Sequence, residues 1–163
     1  MKAGRPDEAV LIIDVQPCFE PPAFLVERAQ ALADAYYSVA TVELHDETKT
    51  PFLKQLNWAP PVDEKSLIKA DRTFIKHGYA PPVELVEYLR GQGMERVYVC
   101  GIQADTCVLA AGFALFDAGL QPTLVTDAIV GSSLDRSGQL GARLWEHHFG
   151  SLTDTNKLLG EKQ

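Results

Sequence analysis

The chain has 163 residues, 46% of them hydrophobic, and a net charge of -7 with a pI near 5.0. That length suits one domain, residues 1–163, around one sizeable core, and that charge excludes nucleic-acid binding, which rests on clustered Lys and Arg neutralising phosphates. No stretch reaches the ~20 apolar residues of a bilayer span, and three cysteines without metal-type spacing read as reduced thiols, so a cytoplasmic protein is expected.

In chain order, the first element is an apolar run from Ala9 to Ile13 closed by Asp14. Asp14 ends the run too early for a signal peptide. The run has the pattern of a parallel strand covered on both faces. Residues Ala23 to Tyr36 are rich in helix formers with apolar residues at helical spacing, which predicts a helix returning across the sheet. Further β-type runs fall at Ser38 to Leu44, Thr73 to Lys76, Arg96 to Cys100 and Pro122 to Thr126. The stretch from Asp46 to Lys69, with Pro51, Trp58, Pro60 and Pro61, reads as a loop or lid. Proline and glycine punctuation predicts helices over Pro82 to Arg90 and Thr106 to Ala118, and a last one over Leu134 to His148. Alternating strands and helices imply an α/β fold: a doubly wound, mostly parallel sheet with helices on both faces, in three layers.

In such sheets ligands bind beyond the carboxyl ends of the strands. Asp14, Lys76 and Cys107 all fall there. Taken singly, each has a plain structural explanation: a turn cap, a surface charge and a small core residue. Cys107, however, lies in Gly101-Ile-Gln-Ala-Asp-Thr-Cys-Val108, where Asp105 is a favourable N-cap for a helix starting at Thr106. A cysteine in that first turn would feel the positive end of the helix dipole, which predicts a lowered thiol pKa. Asp14 could exchange protons with a leaving amine and a water, and a Lys76 ammonium would favour the ionised thiol and acid.

With these residues in place, the sequence resembles the isochorismatase-like cysteine hydrolases, which include nicotinamidases, N-carbamoylsarcosine amidases and ureidoacrylate amidases. Asp14, Gln16 and Phe19 are similar to the family's Asp-x-Gln-x-x-Phe signature, Gly101 to Val108 to its nucleophile loop, and Asp127-Ala128 with Ser132 to its Asp-Ala and downstream serine. The resemblance implies Cys107 as nucleophile, Asp14 as general acid/base and Lys76 as electrostatic partner. It also implies a cis peptide between Ile102 and Gln103, with the backbone N–H groups of Gln103 and Cys107 forming an oxyanion hole. The family's usual continuation after the lysine is shortened to Lys76-His-Gly-Tyr79, so Lys69 is a rival for Lys76. Lys76 is preferred because it closes a β-type run and precedes a matching tyrosine.

Nicotinamidases of the family carry an Asp-x-His pair and a later His. Here Glu43-Leu-His45 stands in that place, and no metal and no cofactor is expected, since a catalytic zinc wants three protein ligands. His147 and His148 at a predicted helix end are accounted for by the dipole. Gln16, Phe19, Phe24, Trp58 and Tyr79 are candidates for a substrate pocket. The family implies a homodimer or homotetramer, and Ala110, Ala111, Ala114 and Ala118 could pack closely. The activity expected is hydrolysis of a small amide or related C–N bond through a thioester. The alternatives are an isochorismatase-type vinyl ether hydrolase, a class that typically lacks the cysteine, and a non-catalytic binding or redox-sensing protein.

Overall fold

The computed structural model describes residues 2–160. Six parallel strands form one sheet in the order β3-β2-β1-β4-β5-β6. The strands are β1 (Glu8–Ile13), β2 (Tyr37–Glu43), β3 (Arg72–Lys76), β4 (Arg96–Ile102), β5 (Gln121–Val130) and β6 (Leu152–Thr153). The helices are α1 (Ala23–Ala35), α2 (Phe52–Leu56), α3 (Val83–Gly91), α4 (Cys107–Asp117), α5 (Gln139–Phe149) and α6 (Thr155–Leu159). The strand order reverses between β1 and β4, and the crevice outside their carboxyl ends is where a doubly wound sheet takes its ligand.

The alternation of a strand explains the layers. On β1, Ala9, Leu11 and Ile13 point into one core, which holds Leu85 and Leu89 of α3, Val108 and Leu115 of α4 and Trp145 of α5. Val10 and Ile12 point into the other, with Leu25, Ala29 and Leu32 of α1. Because β1 feeds both cores, it reads as an unbroken apolar run rather than as an alternating one. Among the described residues no helix is long and apolar enough to cross a membrane.

Four elements differ from the sequence-based expectation. α5 starts at Gln139 rather than Leu134, because the Asp135 carboxylate takes the N–H groups of Ser137 and Leu140 and Gly138 adopts a left-handed φ of 81°. A residue that satisfies backbone donors from its side chain makes a turn before the helix can begin. β5 runs on past Thr126 to Val130, across a register shift opposite Val99 and Gly101. The stretch read as irregular contains α2, and the tail contains α6, which Asp154 caps through the Lys157 N–H.

Candidate active site

Asp14 is the first residue beyond β1, and its φ of 51° turns the chain sharply out of the sheet. Aspartate is among the few side chains that tolerate this left-handed conformation. Its Oδ1 accepts a hydrogen bond from the Thr41 hydroxyl at 2.8 Å, while the Asp14 N–H donates to Thr41 Oγ1 at 3.2 Å. Oδ2 lies 2.9 Å from the Lys76 ammonium. Lys76 ends β3, is 2% exposed, and donates to the carbonyls of Gly78 and Tyr79 at 2.7 and 3.1 Å. Lys69 is exposed on the loop before β3, and its main chain pairs with the Gln30 side chain.

Cys107 is the first residue of α4 and almost fully buried. The expected cap is corrected by the structure. Asp105 does not close the helix; its carboxylate binds the N–H and hydroxyl of Ser132 at 2.8 and 2.5 Å, tying the loop before Cys107 to the end of β5. Asp127 likewise holds Thr155 at the start of α6. The Asp-Ala and serine motif is thus a set of ties behind the site.

The backbone before Cys107 is closely fitted. The Ile102–Gln103 peptide bond is cis, and among the described residues no backbone carbonyl takes the N–H of Gln103 or of Cys107. Gly101 has a φ of 121°, and a Cβ there would stand 2.2 Å from the Ile13 carbonyl oxygen. On the other side, a Cβ on Gly141 of α5 would meet the Ala104 carbonyl carbon at 2.5 Å. Only glycine allows β1 and α5 to approach this loop so closely.

The electrostatics differ from the sequence expectation in one respect. Burial pushes the Cys107 thiol well above its ordinary range, and the Lys76 ammonium, which pulls the other way, does not offset it. The helix dipole alone therefore does not make a resting thiolate, because desolvation of the charged form is the larger effect. Burial also raises the Asp14 carboxyl despite the opposing pull of Lys76. The charge on Lys76 is itself reinforced: burial opposes it, but Asp14, Cys107 and Glu43 raise its pKa.

A cavity of about 330 Å³ opens onto Cys107. Phe19, Trp58 and Tyr79 line it as anticipated, together with Gln103. Phe24 does not: it is 42% exposed on α1 with the Arg28 guanidinium over its ring. Gln16 is buried behind the wall, where its amide accepts from the Glu43 N–H and donates to the Glu43 carbonyl and the Glu64 carboxylate. The sequence reasoning missed Phe52, Leu56, Thr106 and above all Glu43. Glu43 ends β2, is 2% exposed, and sets Oε2 at 3.9 Å from Lys76 Nζ and 4.0 Å from Cys107 Sγ. The one available signal was an acid closing a strand beside the other strand-end residues.

A buried cysteine, two acids and an ammonium gathered over the reversal point of a parallel sheet define an α/β protein with a potential nucleophile at its ligand crevice. Comparison with known proteins narrows the class. The isochorismatase domain matches residues 8–157, and the chain belongs to the isochorismatase family, a family of hydrolases. Among curated proteins no match is found. Among solved structures, a nicotinamidase/pyrazinamidase of Acinetobacter baumanii superposes with a TM-score of 0.76 at 19% identity, covering 94% of this chain and 99% of that one. The N-carbamoylsarcosine amidase of Thermoplasma acidophilum gives 0.74 at 17%, covering 96% and 98%. The pyrazinamidase of Pyrococcus horikoshii, in complex with zinc, gives 0.76 at 18%, covering 91% and 99%.

The side chains here do not suit a zinc ion. His45 directs Nε2 at Glu47, 3.2 Å away. Among the described residues the one trio of potential ligands, Asp14, Glu43 and Cys107, lies within 4.8 Å, but the Lys76 ammonium already stands beside both acids. A dication there would meet a buried positive charge rather than a free donor set.

Proposed function

We propose that this chain hydrolyses a small amide or related C–N bond, with Cys107 as nucleophile, Asp14 as proton carrier and Lys76 as the charge that holds Asp14 in place. The observation that carries this is the meeting of the three side chains, with Asp14 and Cys107 atoms within 4.8 Å and Lys76 at 2.9 Å from the acid. Because burial keeps the thiol protonated at rest, its proton passes to Asp14 as sulfur attacks the carbonyl carbon. The free N–H groups of Gln103 and Cys107 are suited to receive the developing oxyanion. As the C–N bond breaks, Asp14 returns the proton to the departing nitrogen, leaving a thioester. Water then loses a proton to Asp14 and attacks; the C–S bond breaks, sulfur regains the proton, and a carboxylic acid leaves.

The aromatic walls and limited volume of the cavity favour a small, flat acyl group. An ammonia-release screen across nicotinamide, carbamoyl amines, ureido acids and simple primary amides tests the reaction class. Turnover by the wild type, its loss in Cys107→Ala, and an acyl adduct on Cys107 by mass spectrometry are the expected results. Undiminished turnover by the alanine variant would refute the mechanism.

A further inference from the structure

Glu43 has no part in the proton path described above, yet it is the acid that faces the cavity. Its main chain is clamped: the N–H donates to Gln16 Oε1 at 2.8 Å and the carbonyl accepts from Gln16 Nε2 at 3.0 Å. The side chain is therefore aimed by two hydrogen bonds and the end of β2. Oε2 stands between Lys76 and Cys107, while Oε1 is buried and has no hydrogen-bond partner among the described residues. A buried acceptor without a donor is a costly thing to keep, and it points to a donor that arrives from outside.

Geometry limits what that donor is. A carbonyl carbon at attacking distance from Cys107 Sγ, roughly 3 Å, carries its three substituents into the neighbourhood of a carboxylate 4.0 Å from the same sulfur. The carbonyl oxygen is repelled by an acid and suits the Gln103 and Cys107 N–H groups. The acyl body belongs with Phe19, Phe52, Trp58 and Tyr79. The remaining substituent is the scissile nitrogen.

Resting on the amidase reading, we infer that Glu43 is a specificity-determining residue, whose free carboxylate oxygen accepts an N–H of the scissile nitrogen and so selects amides over esters of the same acyl group. An ester oxygen in that place brings lone pairs instead of a donor and leaves the buried acceptor unpaired. Sites built to bond a substrate N–H reject the analogue without it far more strongly than apolar pockets reject a size change.

The test compares benzamide with methyl benzoate, and each other amide of the screen with its methyl ester, for the wild type, Glu43→Gln and Glu43→Leu. The expected result is a fall of about 100-fold in the amide-to-ester kcat/KM ratio for Glu43→Leu, over and above any loss the two substrates share through Lys76 and Cys107. Glu43→Gln, which keeps the shape, serves if the leucine variant does not fold, and its amide-to-ester ratio falls by about tenfold. A pH profile separates specificity from mere support. The groups facing Glu43 are Lys76 from β3, Asp14 beyond β1 and Cys107 on α4, and all three serve both substrates. A limb near pH 7 present for amides, absent for esters and lost in Glu43→Gln supports the inference. Equal losses for amide and ester, or no loss for either, overturn it. If neither substrate type is turned over and Cys107 gains no acyl group, the amidase reading itself fails and the inference goes with it.

Discussion

The two ends of β3 each carry a lysine–aspartate pair, and the two pairs behave oppositely. Asp71, just before the strand, meets Lys2, and both side chains are about one-third exposed. Lys76, the last residue of the strand, meets Asp14, and both are out of contact with water. Burial raises both acids' pKa values, but at Asp71 it is outweighed by hydrogen bonds from Lys2 and Ser38, so that carboxyl is held below its ordinary range. At Asp14 burial wins, and the carboxyl rises. The same two kinds of side chain make a partly exposed clasp in one place and a desolvated ion pair in the other. A buried pair is weak evidence for stability, whereas a desolvated acid beside a thiol is what proton transfer needs.

The largest effects belong to the buried end. Asp14→Asn keeps the left-handed turn, because asparagine tolerates positive φ, but cannot carry a proton. A loss of about 1,000-fold in turnover is expected, with Cys107→Ala at least as severe, measured by ammonia release. Lys76→Met tests the price of an unpaired charge. At pH 8 it leaves two buried acids without their counterion and should destabilise by about 3–5 kcal/mol. At pH 5 the acids can take protons, so the cost shrinks. Asp14→Asn combined with Lys76→Met should recover part of the stability and none of the activity. Urea unfolding at the two pH values decides this, and a pH-independent loss in Lys76→Met would mean that packing, not charge, holds the site.

Glu43 comes next. Its pKa rises from 4.5 to about 7, chiefly through burial, with Lys76 opposing and Asp14 adding to the rise. A folded acid that titrates above its unfolded value loses stability as pH climbs through that window, is unpenalised below it, and carries a constant penalty above it. The shift corresponds to about 3 kcal/mol. Glu43→Gln should therefore flatten the stability profile between pH 4.5 and 7, and thermal unfolding across that range measures it. A variant with the wild-type slope would place the titration elsewhere.

Much of this contrast was readable before any coordinates. The apolar runs at β1 and β4 are continuous because each feeds two cores, so their ends, and with them Asp14 and the loop to Cys107, could be located. Proline and glycine marked α3 and α4. Lys76 was harder, since β3 is short and mostly exposed, and a rival lysine lay seven residues away. Glu43 was named but passed over. Nothing local distinguishes a buried acid at a strand end from a surface one, and its meaning comes from Lys76 and Cys107, 33 and 64 residues further on. The thiol was misjudged for a related reason: the helix start is visible in the sequence, but the burial that outweighs its dipole is set by packing. α2 escaped notice because a single turn after Pro51 has no periodicity to read.

The smallest effect is expected at the exposed end, and it is the control for the whole comparison. Lys2 donates to the carbonyls of Ala33 and Tyr36 as well as to Asp71, so it pins the amino-terminal segment to the end of α1 and the start of β3. Its ammonium is partly in water, where ion pairs are screened and contribute about 0–1 kcal/mol. Lys2→Ala should cost no more than this and leave turnover unchanged. What remains of the effect has a sign. Because the Asp71 pKa is depressed in the folded protein, the pair stabilises at neutral pH and its contribution disappears as pH falls through and below the usual aspartate range. The wild type and Lys2→Ala should thus differ slightly at pH 7, less in 0.5 M salt, and least near pH 2, where only the bonds to the Ala33 and Tyr36 carbonyls remain. A difference that grew in acid, or one as large as that of Lys76→Met, would mean that burial is not what separates the two ends of β3.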